Sequence, residues 1–276
     1  MKVLDKRKDY MEEVYQDDIN AYIGFKYSHL GYWHSDNRDD FHRAQEDQLI
    51  KLLDPLNIQA GERVLDIGGG QGGTAIWIAK RYDCEVVLVD IVENMVQKAR
   101  EVVKDEKLGN SIETICSDFL KLKVPEGSFD HIVSVEALHH ISDKKGLFNK
   151  VFSLLKPGGK FSASIYLSDM KPGFLKKLYL KLTVGDDYLS PINHYMDSIK
   201  NSGLEECAVE DISDAVLPKS SQLFLQEPYY SRIVEYHKKY YGRFSVWLLP
   251  LFDKWHRSIL RKKQLRLVIC RTQKSV

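Results

Sequence analysis

Residues Asp66 to Gly73, Asp-Ile-Gly-Gly-Gly-Gln-Gly-Gly, set one acid before five glycines. Such a run lets a chain turn sharply and lets a ligand approach the backbone closely. Val64 to Ile67 reads as a short buried strand leading into it. Thr74 then opens a helix with Ile76, Trp77 and Ile78 at apolar positions. Strand, turn and helix N-terminus together predict a cofactor cradle, where amide groups and the helix dipole favour a carboxylate or phosphate. A second acid, Asp90, ends the apolar strand that starts at Val86, and lies 24 residues after Asp66. An acid at about this gap takes ribose hydroxyls in nucleoside-binding folds. Its carboxylate can accept two hydrogen bonds at once. Two imidazoles, His139 and His140, follow a further apolar strand, and an imidazole can accept a proton near neutral pH.

The order Asp66-x-Gly68-x-Gly70-x-Gly72 is followed in register by Asp90, Cys116-Ser-Asp-Phe119, Asp130-His-Ile-Val-Ser-Val135 and Leu155-Lys-Pro-Gly-Gly159. This set resembles the class I S-adenosylmethionine-dependent methyltransferases of small-molecule type. The similar groups are tocopherol and sugar methyltransferases and cyclopropane-synthase-like enzymes. Dinucleotide enzymes usually lack the acid just before the glycines.

The resemblance implies an α/β fold, a Rossmann-like doubly wound sheet of seven strands with the last antiparallel, plus a helical lid and a cap insert. It implies S-adenosyl-L-methionine as cofactor. On that reading Asp66 supports the loop and the methionine end, and Gly68, Gly70 and Gly72 bring amides to the ligand. Asp90 binds the ribose, and Ile91 and Met95 pack on the adenine. Asp118 accepts the adenine amine and Phe119 offers ring contact. Asp118 is also a helix N-cap type, and the two roles are compatible. Ser134 borders the methyl donor. The stretch Ser134-Val-Glu-Ala-Leu-His-His-Ile-Ser-Asp143 is similar to an S-x-E-x-x-x-H-x-x-D segment of those enzymes. It makes His139 the pocket residue and candidate base, with His140 structural. The bland alternative is that both imidazoles only pack in the turn.

The elements that must position these residues follow in order. Residues 1–60 read as an N-terminal helical lid, 61–165 as the cofactor-binding core, and 166–203 as cap helices and a return to the core. Residues 204–212 read as a core strand, 213–263 as a cap insert over the substrate, and 264–276 as the last core strand and tail. Within the lid, Tyr22 to Trp33 is rich in aromatics and holds two glycines, so it is not a regular helix. Tyr27 is a candidate cofactor contact there, and His29 and Trp33 are candidate walls of the acceptor pocket. The alternative is plain packing of these aromatics on the core. Lys156 to Gly159 reads as the turn into a fifth strand, Lys160 to Tyr166. In the insert, aromatics from Tyr229 to Phe244 recur at helical spacing, and a short apolar run to Phe252 follows. Tyr240 and Trp247 are the candidate substrate contacts of that cap.

With 276 residues, 43% hydrophobic and 29% charged, the chain can bury a single large core. The net charge of +1 points to no nucleic-acid partner. That average hides a split: residues 227–276 hold twelve Lys/Arg against three Asp/Glu. Such a region can meet an anionic membrane as a peripheral contact, face an acidic substrate, or simply be solvated. Four scattered cysteines suggest reduced thiols, and no ligand spacing suggests a metal. The first residues lack a signal-peptide core and no run has transmembrane length, which predicts a cytoplasmic protein. The expected function is methyl transfer to O, N or C of a small lipophilic acceptor, such as a natural product or isoprenoid. The alternative is a protein of this fold that binds the cofactor but catalyses a non-methylating reaction such as cyclisation. Oligomeric state is left open by the sequence.

Overall fold

The computed structural model describes residues 27–37, 40–168, 189–223, 225–227, 229–241 and 243–276. The helices expected before Tyr27 and the lysine-rich segment 169–188 lie outside the described residues.

Short apolar runs rich in valine and isoleucine build a sheet buried on both faces. Its strands are β1 (Arg63–Ile67), β2 (Glu85–Asp90), β3 (Ile112–Cys116), β4 (Phe129–Val135), β5 (Leu155–Ser168), β6 (Leu204–Asp211) and β7 (Leu265–Lys274). They lie in the order β3-β2-β1-β4-β5-β7-β6. Strands β1 to β5 are parallel, and β7 runs antiparallel to both β5 and β6. This is the doubly wound sheet with an antiparallel seventh strand that the sequence motifs implied. Side chains alternate between faces. Val64, Val86 and Leu88 enter one core cluster, and Leu65, Val87 and Val89 enter the other. Helices α1 (Phe41–Leu53), α2 (Gly73–Tyr82) and α3 (Glu93–Asp105) cover the first face, and α4 (Lys144–Leu154) and α5 (Ile192–Ser202) cover the second.

The strand order reverses at β1 and β4, and a doubly wound sheet opens its ligand crevice at that point. The turns leaving these two strands touch: a Cβ on Gly68 would stand 2.3 Å from the Cβ of Ala137.

Two local readings needed correction. The Lys156–Gly159 segment is not a turn ahead of the fifth strand but lies within β5. The β4–β5 register jumps between the Phe129–Leu155 and His131–Lys160 pairs, and Gly158 takes φ +74° to absorb the extra residues. In the C-terminal insert, three helices replace one helix and a run: α6 (Ser213–Leu223), α7 (Tyr229–Tyr241) and α8 (Arg243–Arg261). The apolar run to Phe252 sits inside α8, with Pro250 in its interior.

A buried lysine fixes the turn after β4. Lys144, 7% exposed, donates to the carbonyls of Leu138 at 2.9 Å, His139 at 3.3 Å and Ile141 at 2.5 Å. Its ammonium also lies 4.8 Å from the Tyr195 ring centroid. The turn that carries both imidazoles is therefore held by charge-assisted bonds from α4. Lys144→Met should destabilise the chain by about 2–4 kcal/mol, as expected when several carbonyls lose a charged donor. Urea unfolding measures it, and an unchanged midpoint would mean that the turn holds itself.

Candidate active site

The crevice begins with the glycine turn. Gly69 has no room for a side chain, since a Cβ there would lie 2.4 Å from Leu88 Cγ and 2.8 Å from Asp66 Oδ2. The amides in this turn are not offered outward as the sequence suggested. Gly68 N–H donates to Val89 O at 2.8 Å, Gly72 N–H to Gly69 O at 3.0 Å, and Gly70 N–H to Asp90 Oδ2 at 2.9 Å. These bonds lash the turn to the end of β2, so the glycines serve close packing and shape.

Acids gather around this turn. Asp66 is 1% exposed, and its Oδ2 has no hydrogen-bond partner among the described residues. Burial, reinforced by the charge of Asp90, pushes its carboxyl up to about 7. Asp90 is half-buried at the end of β2 and accepts Val92 N–H on Oδ1 at 2.9 Å and Gly70 N–H on Oδ2. Each of its oxygens keeps a further lone pair. Burial raises its pKa, while the amides of Val92, Gly70 and Ile91 and the charge of His140 work against that rise. Asp118 uses one oxygen as a cap, accepting Leu120 N–H at 3.0 Å, while its buried Oδ2 has no partner among the described residues. The cap thus uses one carboxylate oxygen only. Ile91, Val92 and Met95 form a small apolar cluster just beyond Asp90.

His139 is 2% exposed and meets Tyr166 edge-on, with ring centroids 5.3 Å apart. His140 is half-buried and close enough to Asp90 for its charge to act there. It belongs to the acid-lined side of the crevice rather than to the scaffold alone. Glu136 was not singled out by the sequence, although it stands inside the quoted motif. It sits at φ +53°, and Leu30 N–H and Gln48 Nε2 donate to its Oε1 at 3.2 and 2.8 Å. A side-chain hydrogen bond from Tyr166 completes its set, and burial pushes its carboxyl up to about 7 against these donors. The signal available beforehand was its place one residue beyond β4, at the switch point.

Other predicted residues take structural places. Ser134 is fully buried and its hydroxyl donates to Ile67 O at 2.8 Å, so it pins β4 to β1 instead of facing a ligand. Phe119 is buried in the second core cluster. Tyr27 is 2% exposed, with its hydroxyl turned to Glu46 of α1 at 3.2 Å. Trp33 is a strut rather than a pocket wall: its Nε1–H donates to Ser220 Oγ of α6 at 3.0 Å and its ring stacks on Phe41. Trp247 is 74% exposed on α8 and is not enclosed in a pocket. The Tyr240 side chain lies outside the described residues. His29 is buried beside Tyr27. Its Nδ1 is 2.8 Å from Leu30 O, burial pulls its pKa down to about 4, and Nε2 is buried with no partner among the described residues. A neutral ring with Nδ1–H donating leaves Nε2 as an acceptor. The same segment passes over the glycine turn, with Ser28 Oγ 3.7 Å from where a Gly70 Cβ would be. Among the described residues no group of three or more His, Cys, Asp or Glu is placed to hold a metal ion.

Comparison with known proteins agrees with this geometry. Residues 64–159 match the family model described as a methyltransferase domain. The chain is 34% identical to phosphoethanolamine N-methyltransferase 3 of Arabidopsis thaliana over 59% of its own length and 33% of that protein. It therefore spans about a third of the length of this relative. It is 28% identical to the 27-O-demethylrifamycin SV methyltransferase of Amycolatopsis mediterranei, over 69% of this chain and 71% of that one. In fold it is similar to the geranyl diphosphate C-methyltransferase of Streptomyces coelicolor, solved with Mg2+, geranyl diphosphate and S-adenosyl-L-homocysteine. There the TM-score is 0.76 at 15% identity, over 97% of each chain.

The raised carboxyls of Asp66 and Glu136 have a consequence for stability. Each keeps its proton in the folded chain at pH values where the unfolded chain has lost it. Stability from these groups is fullest below their unfolded pKa values and falls as pH rises to the folded values near 7. The fall should reach about 4 kcal/mol for Asp66 alone. Urea unfolding between about pH 5 and 7 should show the wild type losing stability with rising pH, and Asp66→Asn should flatten that slope. A slope unchanged by the substitution would assign it elsewhere.

Proposed function

We propose that the chain, whose residues 64–159 match a methyltransferase domain, is a class I, S-adenosylmethionine-dependent enzyme that transfers a methyl group to a small lipophilic acceptor. The observation that carries this reading is the set of acids around the glycine turn. Asp90 has spare lone pairs on both oxygens for two ribose hydroxyls. Asp118 keeps one buried oxygen free for an exocyclic amine. Ile91 and Met95 give an apolar surface between them for a base. Asp66 and Glu136, both opposed in their ionisation by burial, suit a ligand that brings positive charge. S-adenosylmethionine fits each of these groups and supplies, when bound, a methyl already activated on a sulfonium.

The chain's own work is then mainly alignment. The segment from Tyr27 to Trp33 covers the turn and excludes water, and positioning of reactants can contribute about 7–11 kcal/mol. For an acceptor whose nucleophile carries a proton, His139 is the base we assign, taking that proton on its imidazole, with Tyr166 and Glu136 beside it. His29 Nε2 offers an acceptor for a hydroxyl of the same molecule. Tyr166 beside His139 and the aromatic segment at Tyr27 support a lipophilic character for the acceptor.

The test is incubation with methyl-labelled donor and a lipophilic extract. Label should appear in extract and S-adenosylhomocysteine should accumulate. Donor binding without label transfer would leave the non-methylating reading in its place. Asp90→Ala should weaken calorimetric donor affinity by about 1.5–3 kcal/mol, the range for hydrogen bonds to a charged group. Equal affinity in the variant would remove the ribose assignment.

A further inference from the structure

Helix α8 has two faces. Ile259 is buried with Leu189 and Leu265, and Trp255 and Leu260 pack against that cluster. On another side Arg243, Trp247, Leu251, Lys254 and Arg261 are all exposed. At 3.6 residues per turn these five fall within an arc of roughly 80°. Trp247 is 74% exposed and Leu251 71%. Among the described residues, only the terminal Val276 is a more exposed large apolar side chain. The single acid of α8, Asp253, lies off this stripe and is paired with Arg257. Lys254, Arg257 and Arg261 also rim a cleft of about 410 Å³ between α6 and α8, which Leu217, Leu225, Leu260 and Leu265 line. No described helix is long and apolar enough to cross a membrane.

A tryptophan and a leucine held in water among cations fit one environment well, the boundary between lipid headgroups and acyl chains. We propose that α8 seats the protein peripherally on an anionic lipid bilayer. Trp247 and Leu251 enter the headgroup boundary, and Arg243, Lys254 and Arg261 meet lipid phosphates. The charge distribution orients the approach. The twelve Lys/Arg and three Asp/Glu of residues 227–276 stand against a net negative remainder, so this end of the chain is drawn to an anionic surface. A second copy of the chain is a poorer occupant, because a two-fold contact would set the same cations against each other. This docking is independent of the methyl-transfer reading.

The experiment is co-sedimentation of the full chain with phosphatidylcholine vesicles, with and without phosphatidylserine, at low and high salt. The protein should sediment with phosphatidylserine vesicles at low salt, be released by high salt, and stay in solution with phosphatidylcholine alone. Replacing Lys254 and Arg261 together by Gln should weaken binding roughly 30-fold, about fivefold for each cation lost near the surface. The double change Trp247→Ser and Leu251→Ser should also weaken it. Tryptophan emission should move to shorter wavelength on the vesicles, and Trp247→Phe should remove that shift. Because these side chains are exposed, the variants should keep the wild-type circular dichroism. Absence of sedimentation at low salt, or equal sedimentation of wild type and both double variants, would overturn the proposal. So would a dimer that Trp247→Ser dissolves, which would give the face to a second copy.

Discussion

The carboxylate of Glu136 is the junction on which the crevice depends. It sits just past β4 in a left-handed conformation, which a non-glycine residue adopts at a cost. The surrounding bonds overdetermine it. Leu30 N–H arrives from the segment that covers the turn, Gln48 from α1, and Tyr166 from β5. Its own N–H donates to Ser164 O at 3.1 Å. Losing that carboxylate would leave donors from three parts of the chain unsatisfied, each at the cost of a buried polar group. Leu30 in turn fixes where Ser28 and His29 stand, and Gly31 then passes so close to α1 that a Cβ would lie 2.6 Å from Ala44. The cover over the crevice is thus placed by one acid whose ionisation burial opposes. A positive ligand nearby favours the ionised acid and so strengthens the grip on that cover.

The same logic extends to the rest of the site. Asp90 is close enough that its charge raises the cost of ionising Asp66, and of the two acids only Asp90 feels a nearby cation, His140, among the described residues. Such an arrangement is poor for stability and good for a cation. The turn between the two acids is tied by the backbone bonds of Gly68 and Gly72 and by Asp90, which accepts Gly70 N–H, while Asp66 Oδ2 takes no part in holding it among the described residues.

The sheet was legible because its signal is local and repeated. The short apolar runs Val64–Ile67 and Val86–Asp90, with glycine punctuation, mark buried strands and the crevice at their ends. The acids at strand ends were legible for the same reason, since spacing along a strand is a position in space. The hydrogen bonds of Ser134 and Trp33 were not legible because their partners lie 67 and 187 residues away. Nothing near Ser134 says that its hydroxyl will meet Ile67 O and not a ligand. The 3-10 turn that carries the two imidazoles was not legible in the sequence. Its geometry is set by Lys144, whose side chain no periodicity could orient. In α8 the apolar run to Phe252 masked the helix, and only three dimensions separate its buried face from its basic one.

The C-terminal helices also touch the cover of the crevice through one short element. Ser220 and Ser221 are neighbours on α6. Ser220 accepts the indole N–H of Trp33, and Ser221 Oγ lies 2.8 Å from Nε2 of His256 in α8. Trp33 N–H further donates to Ala215 O of the same helix at 3.0 Å. Leu30, three residues before Trp33, is on Glu136. A displacement of α6 therefore cannot leave both ends as they are: either the bond to α8 or the position of the cover must change. The face of α8 opposite His256 is the basic, apolar-tipped stripe. The segment over the crevice and α8 thus both bond to α6, through adjacent serines about 100° apart around the helix.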